Sequence, residues 1–255
     1  MKKITLDGKV VELYDNIEDL PILRFHKYNK MLLVDAGIGS DLADFDRHIE
    51  RAILYAKSGK GALAATEMEN IRQNVYLIQS NVSPRNMAFA VLVKSIDGKP
   101  CNDLSDEGLK RVVAEFENVA NTELTGRLDS VKKKIDEELR AYFPKMFDDV
   151  SLKEYYDKLR RRTLLILDSV ATGNTSNATQ IKNITDELVT YFNPQSFSGQ
   201  DNAEVQYDRQ FEDTCLLISQ NLHTSAKGYT VLEYYNALEY LKEEAKKARK
   251  RANAK

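Results

Sequence analysis

The sequence predicts a mainly α-helical protein, a bundle of about nine or ten helices behind a short N-terminal β-hairpin. Three observations predict it. Gly (11) and Pro (5) are scarce among 255 residues, and helix interiors tolerate neither. Apolar residues recur at the 3.6-residue spacing along nearly the whole chain, which gives each segment one face to bury. Clear strand patterning is confined to the N-terminus.

There, KITL-DG-KVVELY places Asp7-Gly8 between two β-rich runs, a two-residue hairpin signature in which Gly supplies a positive φ. A hairpin alone is marginally stable, so it should pack on helices or pair with another chain's edge. The first expected helical face carries Leu42, Phe45, Ile49, Ala52, Ile53 and Ala56, with Ser40 as the N-cap. Gly59 should end that helix and Gly61 begin the next, whose stripe is Ile71, Val75 and Ile78. Ser83-Pro84 combines an N-cap with proline at the first helical position, and NMAFAVLV beyond it is apolar on nearly all sides, as in a central buried helix.

The segment from Asp97 to Gly108, DGKPCNDLSDEG, breaks the helical pattern. It suggests an N-terminal part over 1–100 and a C-terminal helical part over 101–255, with one continuous domain as the alternative. Stripes then follow on Leu109, Val112, Val113, Phe116, Val119; on Leu128, Val131, Ile135, Leu139, Tyr142; and on Leu152, Tyr155, Tyr156, Leu159, Ile166, Val170, closed by Gly173. Ile181, Ile184 and Leu188 mark the next helix. Residues 193–204 read as a mobile polar loop. Two last helices carry Phe211, Cys215, Ile218 and then Val231, Tyr234, Tyr235, Leu238, Leu241. The final residues lose their apolar face and read as a fraying basic tail.

Composition narrows the function. With 37 basic and 39 acidic residues the net charge is −2, so the chain as a whole is not drawn to nucleic acid or anionic membrane. The apolar runs are far shorter than the ~20 residues that span a bilayer, and MKKITLDGKV has no apolar core of a secretory leader. No membrane contact is expected. Cys101 and Cys215 lie far apart, outside any CxxC or Cys/His run, so neither zinc nor a disulfide framework is suggested.

Three motifs raise chemistry and decline it. SGKG at 58–61 resembles a phosphate cradle, but a P-loop needs a strand before it, Gly where Leu54 stands and Ser or Thr where Gly61 stands. AGIGSD at 36–41 lacks the third glycine of a dinucleotide site. Asp44 and His48, four apart, would share a helical face, yet two ligands do not make a metal site, and an exposed charged face is expected there. His26 and His223 have no carboxylate or nucleophile at triad spacing. No catalytic, cofactor or metal residue is therefore assigned.

What remains is surface. Arg160, Arg161 and Arg162 lie mid-helix and could snorkel or bind a partner's acidic side chain, and Tyr234, Tyr235 and Leu238 share a terminal stripe that packs within the chain or docks into a groove on another protein. Lys246, Lys247, Arg249, Lys250 and Arg251 could contact nucleic acid. The stretches IEDLPILRFHKYNKMLLVDAGIGSDLADFDRHI (17–49) and TVLEYYNALEYLKEEA (230–245) resemble tailed-phage proteins encoded among virion genes. That resemblance implies a non-catalytic component of virion assembly, found in host cytoplasm or virion: a head–tail connector, a tail-assembly chaperone or a minor structural protein. The partners implied are phage structural or assembly proteins and further copies of the chain. The alternatives are a nucleic-acid adaptor using the basic tail, or an enzyme whose site assembles only in the fold.

Overall fold

The computed structural model describes residues 1–147, 150–173, 176–189, 191 and 193–253. Among these are eleven α-helices and four strands, a mainly helical architecture with the expected N-terminal hairpin. That hairpin, β1 (Lys2–Leu6) and β2 (Lys9–Leu13), is half of a four-stranded antiparallel sheet ordered β1-β2-β3-β4. The other half, β3 (Val93–Ile96) and β4 (Lys99–Pro100), lies in what the sequence suggested was a buried helix running into a break. Both hairpins turn on Asp-Gly. Asp7 and Gly8 have φ of 47° and 74°, Asp97 and Gly98 of 49° and 78°, the double positive φ of a type I′ turn. Asp97 also accepts a hydrogen bond from Val10 N (2.8 Å) on its Oδ1, so the second turn is fastened to β2.

Helices α1 (Ile22–Gly37), α2 (Leu42–Lys57), α3 (Gly61–Gln79) and α4 (Pro84–Leu92) connect the two hairpins. Helix α4 is the centre of the core. Ser83 caps it, proline opens it, and every residue from Met87 to Leu92 is buried. Helix α1 packs along it, as do α5 (Asp106–Ala114) and α6 (Asn121–Tyr142). On α6 the buried positions are Leu124, Leu128, Val131, Ile135 and Leu139. The expected Tyr142 points outward, and Phe143 fills the core instead. One buried apolar cluster takes side chains from Leu6 to Ala237, on both sides of the 97–108 break.

The remainder comprises a short α7 (Pro144–Phe147), the pair α8 (Val150–Thr172) and α9 (Ala178–Val189), then α10 (Ala203–Leu222) and α11 (Val231–Asn253). The start of α11 is stitched to the approach to α1. Ile22 N donates to Tyr229 O (2.9 Å), Val231 N to Leu20 O (2.9 Å) and Leu232 N to Ile17 O (3.0 Å). The expected fraying tail is continuous helix to Asn253, supported by Glu243–Lys246 and Glu244–Lys247 pairs one turn apart; residues 254–255 lie outside the described residues.

Three further expectations change. Asp41, not Ser40, caps α2, accepting from Asp44 N (2.7 Å). Helix α2 buries His48, Ala52 and Tyr55 and exposes Leu42 and Ile53, because polar partners on α3 outweigh the apolar pattern. The 193–204 loop, read as polar, buries an aromatic ring and is tied to the helices. Phe197 is buried against Gly37, where a Cβ would stand 2.1 Å from its ring, and Asn70 donates to Gln195 O (3.0 Å).

A buried cation joins these layers. Arg24, 6% exposed, donates from Nη1 to Val91 O (2.7 Å) and Val93 O (3.0 Å), and from Nη2 to Cys101 O. Its charge also lies 5.2 Å from the Tyr14 ring centroid. Replacing Arg24 with Met should leave these buried carbonyls without donors and lower stability by about 3 kcal/mol. Urea denaturation with an unchanged slope would show it; a loss below about 1 kcal/mol would refute the role given to Arg24.

Candidate functional site

The motifs that raised chemistry can be placed first. At the end of α2, Ser58 N, Gly59 N and Lys60 N donate to Leu54 O, Ala56 O and Tyr55 O at 2.9–3.1 Å. These are the bonds of a helix C-cap, so the amides a phosphate would need are already engaged. Lys60 Nζ donates to Asp186 O (3.1 Å) on α9. Asp44 and His48 diverge as well. Asp44 turns to Ser40 N and Arg47, whereas His48 turns inward. Among the described residues no group of three His, Cys, Asp or Glu side chains could hold a metal ion.

Two polar assemblies, one buried and one half-buried, were missed by the apolar pattern. The first seals α2 to α3. Glu67, 0% exposed, receives His48 Nδ1 at 2.7 Å and has Arg51 Nε 2.7 Å from the same carboxylate oxygen. Asn74 donates to Ile38 O (3.1 Å), so this seam also reaches the end of α1. Residues 67, 70 and 74 share the buried side of α3 with Ile71, and that spacing was the available signal. A buried carboxylate held by two basic groups closes a hairpin; it presents no nucleophile to a substrate.

The second lies between α1 and α10. The His26 ring stacks on Phe211 and on Tyr207, at centroid distances of 4.0 and 4.6 Å, while its Nε2 lies 2.9 Å from Asp208 Oδ1. Lys30 Nζ reaches Asp208 Oδ2 (2.7 Å). Burial holds the His26 pKa below its usual value against the opposing pull of Asp208. The imidazole is thus neutral at neutral pH and donates to the carboxylate, a packing role.

A surface depression of about 460 Å³ beside β4 and α5 includes Cys101, Asp103, Arg111 and Glu115 in its walls. Three of its charges are paired, Arg111 with Asp103 and Glu115 with Lys9 (2.8 Å), whereas Lys99 and Asp97 in its wall make no ion pair among the described residues. Burial raises the Cys101 pKa, which keeps the thiol protonated and weakly nucleophilic.

The expected contact residues divide. Tyr234 is 5% exposed and stacks on Phe211 at 6.0 Å, so it belongs to the core and not to a partner surface. Tyr235 packs against Phe147 and Phe143, at 5.2 and 5.5 Å, and its burial pushes the phenol pKa up to about 12. Leu238 is half-buried against the same core. Arg162 is drawn inward, its Nε donating to Thr185 Oγ1 (2.9 Å) on α9. Arg160 and Arg161 are exposed. Lys246 and Lys247 pair with Glu243 and Glu244, while Arg249, Lys250 and Arg251 are exposed at the far end of α11.

The feature with most surface consequence is the outer side of α8. Tyr156, Leu164, Leu167 and Val170 are 57–79% exposed, and at 100° per residue they fall within about 120° of arc. Arg160 stands in the same stripe. The adjoining side, with Tyr155, Leu159, Arg162 and Ile166, is occupied by α9. Helix α8 therefore has two apolar faces, and the chain covers one of them.

The His26 assembly fixes a pH response. A folded pKa below the unfolded value of about 6.5 means the unfolded chain takes up the proton first, so this histidine's stabilisation is lost as pH falls below about 6.5. His26→Phe should narrow the difference in Tm between about pH 7.5 and 5.5. An unchanged difference in thermal melts would refute the assignment. The chain matches no known family model, no curated protein and no solved structure.

Proposed function

We propose that this chain is a non-catalytic helical protein that works by contact with other proteins. Its proposed setting is tailed-phage virion assembly, as a head–tail connector, tail-assembly chaperone or minor structural component, in host cytoplasm or virion. One observation carries the contact reading: four large apolar side chains on one side of α8 face solvent together with Arg160. Single exposed apolar residues are ordinary, but a rimmed contiguous set marks an interaction surface. The phage setting rests on the resemblance of residues 17–49 and 230–245, two stretches that the fold packs into the same core through Phe25, Tyr28 and Tyr234.

A second reading has its own support. Residues 242–253 are almost fully exposed along a continuous helix, and Arg249, Lys250 and Arg251 crowd one end of it. That arm suits an anionic polymer, so nucleic-acid contact is the alternative function. Binding that weakens with salt and is lost on deleting residues 242–255 would favour it.

The primary reading is tested by co-purification with virion proteins from infected cells. The double variant Leu164→Glu, Leu167→Glu should reduce recovery of bound proteins at least about tenfold. Its Tm should stay within about 2 °C of the parent, because both side chains are already solvated. A strictly monomeric chain, absent from virions and assembly intermediates, would overturn the proposal.

A further inference from the structure

Resting on the α8 outer face as a contact surface, we infer that its occupant is the same face of a second copy of this chain. The two helices lie antiparallel, about a two-fold axis passing beside Leu164 and Leu165. Two features of α8 make the face complementary to itself. The first is the apolar stripe, which runs from Tyr156 to Val170 over about 21 Å of helix and has its midpoint at Thr163, within about 2 Å along the helix of that axis. A face centred in this way covers itself when turned end for end.

The second feature is charge. Arg161 and Asp168 are seven residues apart and so stand on the same flank of the stripe, the flank away from α9. Their signs are opposite and they are equidistant from the midpoint between Leu164 and Leu165. An antiparallel two-fold places each helix's flank against the same flank of the other. It therefore sets Arg161 of one copy level with Asp168 of the second, twice. A parallel two-fold would put these flanks on opposite edges of the pair, where the charges of the two copies do not meet.

Both groups are available. Arg161 is exposed and makes no ion pair among the described residues. Asp168 accepts from Asn177 Nδ2 (2.8 Å) on Oδ2, and its Oδ1 has no partner among the described residues. The neighbouring cations are engaged on the other side, Lys158 with Glu187 (2.9 Å) and Arg162 with Thr185. In this alignment Arg160 lies level with Ser169 of the second copy, near the last turn of that helix, where the carbonyl ends favour a cation. Its aliphatic stem covers the stripe. The surface is small for a permanent dimer, so association should be reversible and concentration-dependent.

The test is sedimentation equilibrium of the full chain across a concentration series, with a charge swap. Arg161→Asp and Asp168→Arg should each weaken self-association about tenfold, since each sets like charges opposite one another. The combined variant should recover the parent's association, a rescue that no unrelated partner would produce. Circular dichroism of each variant confirms an intact fold, as both positions are on the surface. A parent that stays monomeric throughout, or a combined variant no better than either single, overturns the inference. If co-purification with virion proteins still depends on Leu164 and Leu167 in that case, only the identity of the occupant is wrong. If that dependence is also missing, the contact reading falls with it.

Discussion

Arg24 is the constraint from which the core is organised. A helix leaves its last carbonyls without partners, and α4 ends inside the apolar interior, where water cannot serve them. The chain changes there from helix to strand within one residue, at Val93. The guanidinium meets Val91 O, Val93 O and Cys101 O together, so the same side chain finishes α4, starts β3 and holds the segment leaving β4. Among the described residues no carboxylate pairs with it; backbone dipoles and the Tyr14 ring balance the charge. Because Arg24 sits on α1, the position of that helix against α4 and the sheet is fixed by a polar contact inside an apolar layer.

Polar groups play the same part elsewhere. Glu67 with His48 and Arg51 closes α2 on α3, and Asp208 with His26 and Lys30 fastens α10 to α1. Each joins two elements and leaves no ionisable group poised over an open cavity. The outer sides of α8 and α11 are where side chains face solvent in an ordered array, one apolar and one basic. This division between a cross-braced interior and patterned helix exteriors is what favours a protein acting through its surfaces.

The sequence was legible where one force dominated locally. Asp7-Gly8, Ser83-Pro84, Gly173 and the stripe of α6 from Leu128 to Leu139 depend on neighbouring residues alone, and each is found where expected. It was illegible where distant groups decide. The Asp97-Gly98 turn has the same composition as Asp7-Gly8, but the helical run before it masked the strand; β3 forms because β2 offers it a ladder. The face of α2 was misjudged because His48 and Tyr55 turn inward to α3, a partnership that apolar periodicity does not register. Phe197, alone in a polar stretch, gave little sign that Gly37 had left room for its ring. The arginine triplet at 160–162 was visible as a cluster, but which of its members face solvent depended on where α9 lies.

The stitching of Leu20 to Val231, and of Ile17 to Leu232, has a kinetic consequence. These pairs bracket most of the chain, and the ordering of a long loop must precede any gain from closing it. Helical hairpins such as α2 with α3 can form as soon as they leave the ribosome, whereas the layer containing Ile17, Leu20 and Ile22 waits for residues 229–232. During synthesis that layer is open, and its apolar side chains are exposed to whatever else is nearby. The nascent chain should therefore depend on chaperones late and uniformly, with the final closing step slow compared with the formation of its parts.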